Sequence, residues 1–142
     1  MVNYVKVGSV SDFNPGDAPI DISEVVQDAY PAAERRIITR LADQPCGDPA
    51  FASVGLFCTH QGCNLLKGGS WGRTDQPIYD PASQTITCPC HRSRFDVETG
   101  AVKSRPATQP LPRFAVQVVG EDVQVSVERI QDESWARPKS ST

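Results

Sequence analysis

Histidine and aromatic residues are scarce in this chain: two of its 142 residues are histidines, and only 7% are Phe, Trp or Tyr. Long apolar runs are absent too, since none approaches the roughly 18 residues that span a bilayer. The chain starts with Met1-Val2-Asn3-Tyr4, which lacks the charged and apolar regions of a leader peptide. We therefore expect contact with a membrane only through an anchor or leader outside this sequence.

Excess positive charge is also missing, because the formal net charge is −3. Nucleic-acid-binding domains are typically basic, so nucleic acid is not an expected partner. The apolar fraction of 39% is enough for one core, whereas 12 prolines and 10 glycines predict many short elements and loops. The length predicts a single domain that spans residues 1–142.

Two short segments concentrate the residues that bind metals. The first reads Cys58-Thr59-His60-Gln61-Gly62-Cys63 and the second Cys88-Pro89-Cys90-His91-Arg92-Ser93. Each offers two cysteines and one histidine. Two thiolates and two imidazoles are the ligands of a [2Fe–2S] centre in which histidines hold one iron. Such a centre has a raised reduction potential, about −150 to +300 mV against about −400 mV for plant-type ferredoxins. The other two cysteines could then join the two loops.

Zinc is the competing metal, because two cysteines and two histidines also form a zinc site. Zinc sites usually separate paired ligands by two to four residues, so the spacing Cys-x-His is too tight for them. A zinc site also has no use for an additional cysteine in each segment. The pattern therefore favours an iron–sulfur cluster, and a zinc-binding module stays a remote alternative.

The motifs Cys-Thr-His-x-Gly-Cys and Cys-Pro-Cys-His-x-Ser resemble those of Rieske iron–sulfur proteins, in the form found in cytochrome bc complexes and in the small subunit of arsenite oxidase-type enzymes. The resemblance implies an all-β Rieske fold with stacked antiparallel sheets, an exposed tip that carries both histidines, and a Rieske-type [2Fe–2S] cluster as cofactor. The residues that it implies around the cluster are the metal ligands Cys58, His60, Cys88 and His91, the disulfide Cys63–Cys90, and the further cluster contacts Ser93, Phe95 and Pro106.

The implied disulfide separates groups within the family, because Rieske ferredoxins and oxygenases generally lack it and quinol-linked proteins have it. It would close a loop of about 27 residues, which is worth roughly 3–4 kcal/mol of loop-closure entropy. A stable disulfide indicates an oxidising compartment. We therefore expect an extracytoplasmic location, in the periplasm or on the outer face of the cytoplasmic membrane.

These implications predict a protein of electron transport that accepts electrons from quinol and passes them to a cytochrome c-type acceptor in a respiratory bc-type complex. His60 and His91 would be the redox and proton-coupled residues, since the exposed ring nitrogen of a ligating histidine can accept the quinol proton. The alternatives are the small subunit of an arsenite oxidase-type molybdenum enzyme and a free soluble carrier. The redox partner would then be a cytochrome b/c-type protein or a molybdenum oxidase large subunit.

An oxygenase active site is excluded for this chain alone. A Rieske oxygenase needs a mononuclear iron held by two further histidines and a carboxylate. Both histidines of this chain are already assigned to the cluster. The odd fifth cysteine, Cys46, is expected to be a surface thiol without a role, with an intermolecular or regulatory disulfide as the alternative.

Several positions bear on the reduction potential. Ser93 retains the hydroxyl that the family uses to bond a bridging sulfide and to raise the potential. Phe95 stands where high-potential members often have a tyrosine that bonds a ligand sulfur, which predicts a lower potential. Gln61 replaces an often apolar tip residue, and Arg92 replaces a common glycine. These differences suit a menaquinol chain, an arsenite oxidase-like partner or a free carrier.

Charge is unevenly distributed along the sequence. Residues 58–113 contain seven basic and four acidic side chains, a net charge of +3, whereas the remainder carries −6. A basic metal-binding half predicts electrostatic steering toward an acidic partner. The alternative is that these arginines only keep exposed loops soluble.

Alternating valines predict a hairpin of residues 114–119 and 123–127 around Gly120. Further strands are predicted for 33–41, 51–57 and 85–87, with a turn at 96–101 and one or two helical turns within 20–29. The tail from Arg129 is expected to be loosely ordered, with Trp135 holding part of it. Together these elements predict an antiparallel base from residues 1–52 and 108–142, with a cluster-binding subdomain inserted at 53–107.

Overall fold

The structure is a computed structural model that describes residues 3–130. Across these residues the chain forms twelve β-strands, one α-helix and one 3-10 turn, Val10–Asp12. The bounds are β1 Tyr4–Ser9, β2 Ile20–Asp21, α1 Ser23–Ala29, β3 Arg36–Arg40, β4 Phe51–Gly55, β5 Gly68–Gly69, β6 Gly72–Arg73, β7 Ile78–Asp80, β8 Thr85–Thr87, β9 Arg94–Asp96, β10 Val102–Ser104, β11 Arg113–Val119 and β12 Asp122–Arg129.

Both ends of the described chain build one six-stranded antiparallel sheet, in the order β1-β12-β11-β4-β3-β2. The predicted hairpin is confirmed, because β11 and β12 pair with Val118 opposite Val123. The strands predicted at 33–41 and 51–57 are also present, as the shorter β3 and β4. The predicted helical turns within 20–29 form α1.

The second half of the fold lies between β4 and β11 in the sequence. It contains a four-stranded sheet in the order β10-β9-β8-β7 and a two-stranded hairpin of β5 and β6. The predicted short strand at 85–87 is β8, which runs directly into the second cysteine–histidine segment. The division into a base and a subdomain at residues 53 and 107 stays a prediction. Strand β4 of the larger sheet crosses its first boundary, since it continues to Gly55.

Two apolar clusters hold these layers together. One lies in the larger sheet beneath α1 and includes Val26, Ile38 and Phe114. The other joins the two halves, because it contains Ile37 and Val54 of the larger sheet together with side chains of the smaller one. The cysteines of both metal-binding segments belong to this second cluster, so the site rests directly on the core.

Arg36 is an exception to the rule that charged residues stay outside, since its exposure is 0%. Its guanidinium donates hydrogen bonds to the carbonyl oxygens of Ser126 and Val127 in β12. The same group lies 3.6 Å from the centre of the Phe114 ring. Burial lowers the pKa of Arg36 to about 10, which leaves it charged at neutral pH. It therefore links three strands of the larger sheet.

The C-terminal end corrects one expectation. Strand β12 continues to Arg129, whose guanidinium donates to both carboxylate oxygens of Glu34 at 2.7 and 2.6 Å. Arg129 is therefore part of the fold, and the rest of the predicted tail, including Trp135, lies outside the described residues. Over residues 3–130, no helix has the length and apolar character needed to cross a membrane.

Candidate metal centre

The first cysteine–histidine segment forms a tight loop directly after β4. The backbone N–H of Cys58 donates to the carbonyl oxygen of Cys63, and the N–H of Gly62 donates back to that of Cys58, both at 2.8 Å. Gly62 has a φ of 75°, a left-handed conformation that glycine adopts without steric cost. This turn places His60 at its outer end and both cysteines against the core.

The second segment repeats this geometry after β8. The N–H of Cys88 donates to the carbonyl oxygen of Ser93 at 2.8 Å, and the N–H of Arg92 donates to that of Cys88 at 3.0 Å. Arg92 occupies the position that Gly62 has in the first loop, with a φ of 68°. A side chain in this conformation costs about 1–2 kcal/mol relative to the right-handed one. The two loops are therefore backbone equivalents despite their different sequences.

A disulfide between Cys63 and Cys90 joins the loops, as expected, across a sequence separation of 27 residues. The hairpin of β5 and β6 lies against this bond. A Cβ built on Gly69 would lie 3.3 Å from the Cys63 sulfur, and one on Gly72 would collide with the carbonyl oxygen of Pro89. Glycine at position 72 is therefore required for the close approach to the second loop, and glycine at position 69 leaves room for the disulfide.

The two remaining cysteines of the loops, Cys58 and Cys88, are free thiols with exposures of 3% and 1%. A hydrogen bond from the Cys88 thiol is the largest cause that lowers the pKa of Cys58 to about 6, and the backbone N–H groups of His60 and Gln61 add to it. The same thiol contact raises the pKa of Cys88, although the N–H groups of its own loop oppose this. Each loop thus directs N–H groups at its first cysteine sulfur, which suits a thiolate.

The histidines lie outside the thiols and next to each other. The ring centroids of His60 and His91 are 5.1 Å apart with an interplanar angle of 83°, and His91 is exposed. The Nδ1 atom of His60 is buried and has no hydrogen-bond partner among the described residues. Since a buried polar atom is normally paired, an unpartnered ring nitrogen beside two thiols fits a metal ligand.

The sulfur atoms of Cys63, Cys88 and Cys90 also lie within 4.8 Å of one another. Two of them form the disulfide and offer no thiolate, so this proximity shows how closely the disulfide approaches Cys88. Cys58 and Cys88, with His60 and His91, remain as the set that could hold a [2Fe–2S] cluster. The residues present fit that group.

A third segment closes the site. The hydroxyl of Ser93, fully buried, accepts a hydrogen bond from the Ala107 N–H at 3.0 Å, and its interaction with Cys58 is the smallest of the causes that lower the pKa of that thiol. Thr59 of the first loop donates to the carbonyl oxygen of Gln109 at 2.6 Å. Residues 105–110 are therefore tied to both loops, and Pro106 is exposed within this segment.

Phe95 lies in β9 with an exposure of 0% and belongs to the core cluster beneath the loops. It has no polar atom to direct at a sulfur, in line with the expected loss of one hydrogen-bond donor. Cys46 is exposed and lies in the loop between β3 and β4, where its sulfur is 3.4 Å from a carboxylate oxygen of Asp48. It takes no part in the site.

Sequence reasoning missed two exposed aromatic residues, one of which lies beside His91. Trp71 lies at the turn of the β5–β6 hairpin, 65% exposed, with its ring centroid 5.6 Å from that of His91. Phe57, 43% exposed, lines a shallow cavity together with Trp71 and Gln61. The run Gly68-Gly69-Ser70-Trp71-Gly72 contained part of the signal, because its glycines and serine mark a turn, and Trp71 lies in that turn.

The fold and the site define a class. Stacked antiparallel sheets carry two equivalent loops that present paired cysteines and histidines, which is the arrangement of an iron–sulfur electron carrier. Residues 3–115 match the family described as the Rieske [2Fe-2S] domain. The chain belongs to this family, and its cofactor is the Rieske-type [2Fe–2S] cluster.

Two curated relatives show the range of the similarity. Cytochrome b6-f complex iron-sulfur subunit 2 of Nostoc sp. (strain PCC 7120 / SAG 25.82 / UTEX 2576) is 31% identical over 115 residues, 76% of this chain and 56% of that protein. The chain thus spans about half the length of that relative. The biphenyl dioxygenase ferredoxin subunit of Pseudomonas sp. (strain KKS102) is 27% identical over 128 residues, 90% of this chain and 95% of the relative.

Solved structures agree with the fold. A chain in the complex of oxygenase and ferredoxin in carbazole 1,9a-dioxygenase matches with a TM-score of 0.64 and 29% identity, covering 91% of this chain and 97% of that one. The cyanobacterial plasma membrane Rieske protein from Synechocystis PCC 6803 matches with a TM-score of 0.56 and 25% identity, covering 85% and 97%. The prediction of an all-β Rieske fold is confirmed.

Proposed function

We propose that this chain carries single electrons from quinol to a cytochrome c-type acceptor in a bc-type complex. The Cys63–Cys90 disulfide supports this role most directly, because the resemblance associates that bond with quinol-linked Rieske proteins. The relationship to a cytochrome b6-f subunit points the same way. The disulfide also favours an oxidising compartment on the outer side of the membrane.

In this proposal Cys58 and Cys88 hold one iron, and His60 and His91 hold the other. When bound, the cluster accepts and returns one electron. The buried thiols keep their side of the site away from water, whereas the half-buried His60 and the exposed His91 present imidazoles to a partner. The exposed position of His91 leaves its ring within reach of a quinol hydroxyl, so the same residue could accept a hydrogen bond and a proton.

The ligand assignment is tested by three single replacements of free cysteines. Cys58→Ser and Cys88→Ser remove proposed thiolate ligands, and we expect loss of iron and of visible absorption. Cys46→Ser is the matched control, because Cys46 is also a free thiol but lies outside the site. Full iron content in either ligand variant, or its loss in the control, would contradict the assignment.

The role is tested by isolating the tagged chain from its host's detergent-solubilised membranes. We expect b-type and c-type haem in difference spectra, together with quinol-dependent reduction of cytochrome c. Equimolar molybdenum by mass spectrometry would instead assign the chain to an arsenite oxidase-type enzyme and refute the bc-type role.

A second candidate is a soluble carrier that supplies electrons to an oxygenase. The similarity to dioxygenase ferredoxin subunits favours it, since the aligned region spans nearly the whole of the biphenyl dioxygenase ferredoxin subunit. Gln61 at the tip and the absence of a tyrosine at position 95 are also compatible with this candidate. Isolation with a non-haem oxygenase and without haem would establish it.

A further inference from the structure

The three segments that surround the histidines contain no acidic residue. Residues 57–74, 88–95 and 99–113 carry seven lysines and arginines and no aspartate or glutamate. The other residues carry 7 basic and 17 acidic side chains, a net charge of −10. A chain with a net charge of −3 therefore concentrates its positive charge around the metal centre.

The structure brings these three segments together. The hairpin of residues 68–73 lies on the second loop at Pro89 and on the disulfide. Hydrogen bonds from Thr59 to Gln109 and from Ala107 to Ser93 connect residues 105–110 to both loops. One continuous surface results, which we call the basic tip. Its exposed cations are Lys67, Arg73, Arg92 and Arg105.

No carboxylate neutralises this surface from within. Among the described residues, none of the four exposed cations of the basic tip has an acidic side chain within 4.0 Å. The charges therefore act outward, toward a partner. The surface also has an apolar part, because the exposed Trp71 lies beside His91 and lines a shallow cavity together with the exposed Phe57.

Arg92 is one of these exposed cations, and its backbone conformation is uncommon. It follows His91 directly and holds a φ of 68°, where the equivalent residue of the first loop is Gly62. Glycine would relieve the strain of about 1–2 kcal/mol. Residues other than glycine rarely adopt this conformation, and here the residue is an exposed cation directly beside the proposed exit for electrons.

We propose that the basic tip docks an acidic redox protein, whose surface carboxylates surround its own redox centre. The proposal rests on the proposed electron-transfer function, since the docking surface surrounds the histidines. Opposite charges on two such surfaces accelerate encounter and orient the partners, and this acceleration decreases as salt screens the charges.

Two small oxidants of opposite charge test the surface. The holoprotein is reduced with dithionite, separated from excess reductant, and mixed with ferricyanide, a trianion, or with tris(1,10-phenanthroline)cobalt(III), a trication. Each oxidant takes one electron. We expect the ferricyanide rate to decrease and the cobalt rate to increase as ionic strength rises, although the whole chain is negative. The opposite salt dependence, which the net charge would produce, overturns the proposal.

A pair of variants with equal charge change locates the effect. Arg92→Gly removes a tip charge and relieves backbone strain, so it should fold. Lys6→Gln removes a charge from the edge strand β1, where Lys6 pairs with Asp122 at 3.1 Å. We expect Arg92→Gly to lower the ferricyanide rate at low salt by at least about threefold, and Lys6→Gln to change it little. Equal decreases in both variants overturn the proposal.

Binding without electron transfer provides the second measurement. Hexacyanochromate(III) is a paramagnetic trianion that does not accept an electron under these conditions. Added to the oxidised holoprotein, it should broaden the backbone amide resonances of Lys67 and Arg73 and leave those of Lys6 and Gln124 unchanged. Uniform broadening overturns the proposal. A different result would refute electron transfer itself. If hexacyanochromate binds selectively at the tip but neither oxidant oxidises the reduced holoprotein, the chain is not an electron carrier and the proposed partner is not a redox protein.

Discussion

The Ser93 hydroxyl lies between the first loop and residues 105–110. Its removal should change both the reduction potential of the cluster and the free energy of unfolding. The hydroxyl is fully buried, accepts a hydrogen bond from Ala107 N–H at 3.0 Å, and contributes a hydrogen bond that lowers the pKa of Cys58. In Ser93→Ala the sulfur loses a donor, and the Ala107 N–H is left buried without its acceptor. Both consequences have a definite sign.

The magnitudes follow from these contacts. A hydrogen bond to a charged acceptor is worth about 1.5–3 kcal/mol. The reduced centre is more negative, so the bond is stronger there. If about half of its energy distinguishes the two oxidation states, the potential falls by about 30–60 mV, since 59 mV corresponds to about 1.4 kcal/mol for one electron. The unpaired N–H should cost about 1–3 kcal/mol of unfolding free energy.

Ser53→Ala is the matched control. Ser53 is also buried, with 2% exposure, and donates to the Ile37 carbonyl oxygen at 2.7 Å within the larger sheet. Spectroelectrochemical titration should show a lower potential for Ser93→Ala only, while chemical denaturation shows both variants destabilised. An unchanged potential in Ser93→Ala, or an equal decrease in the control, would refute the role of this hydroxyl.

Three further predictions concern the core, the disulfide and the larger sheet. Phe95→Tyr should raise the potential by tens of millivolts, because the added phenol would donate one hydrogen bond to a ligand sulfur. A lower or unchanged potential in the same titration would show that the phenol does not reach the sulfur. Replacing Cys63 and Cys90 together with alanine should lower the unfolding free energy of the holoprotein by about 3.5 kcal/mol, from loop closure over 27 residues; a loss below about 1 kcal/mol in urea titrations would contradict it. The hydrogen bond from Arg129 lowers the pKa of Glu34, so this pair stabilises the fold above the unfolded carboxyl pKa of 4.5 and loses that effect as pH falls through the folded value. Glu34→Gln should therefore cost about 0.2–1 kcal/mol at pH 7 and almost nothing at pH 3; an equal cost at both values would contradict the assignment.

The sequence predicted the features that local pattern determines. Alternating valines indicated the β11–β12 hairpin, and the mirrored cysteine–histidine segments indicated the site and its cofactor. Each of these signals lies within a short stretch of sequence, where the spacing of the residues limits the local backbone geometry. The pairing of Cys63 with Cys90 came from the resemblance, and the structure confirms it.

Long-range packing decided what the sequence could not predict. Arg36 looks like an outward-facing residue of β3, yet the carbonyl oxygens of Ser126 and Val127, about 90 residues away, draw it into the interior. The position of Trp71 against His91 depends on the close approach of a glycine hairpin to the disulfide. The local sequence indicates the turn that carries Trp71, but it does not indicate the contact with His91 or the burial of Arg36.

Strand β1 was missed for a related reason. It is an edge strand, Tyr4–Ser9, whose register shifts between Lys6 and Gly8 against β12. None of its six residues is fully buried, so the strand lacks the buried face that marks the β11–β12 hairpin. Pairing with β12 fixes the place of β1 at the end of the sheet, and the local sequence does not indicate this long-range pairing.

The central claim is that two thiolates and two imidazoles of this chain hold one [2Fe–2S] cluster. Electron–nuclear double resonance on the reduced holoprotein tests it most directly, with and without ¹⁵N-labelled histidine. Coordination by His60 and His91 predicts two strongly coupled nitrogen nuclei whose signals change on labelling. A cluster without histidine nitrogen coupling, or a protein that binds zinc and no iron after anaerobic reconstitution, would contradict the account.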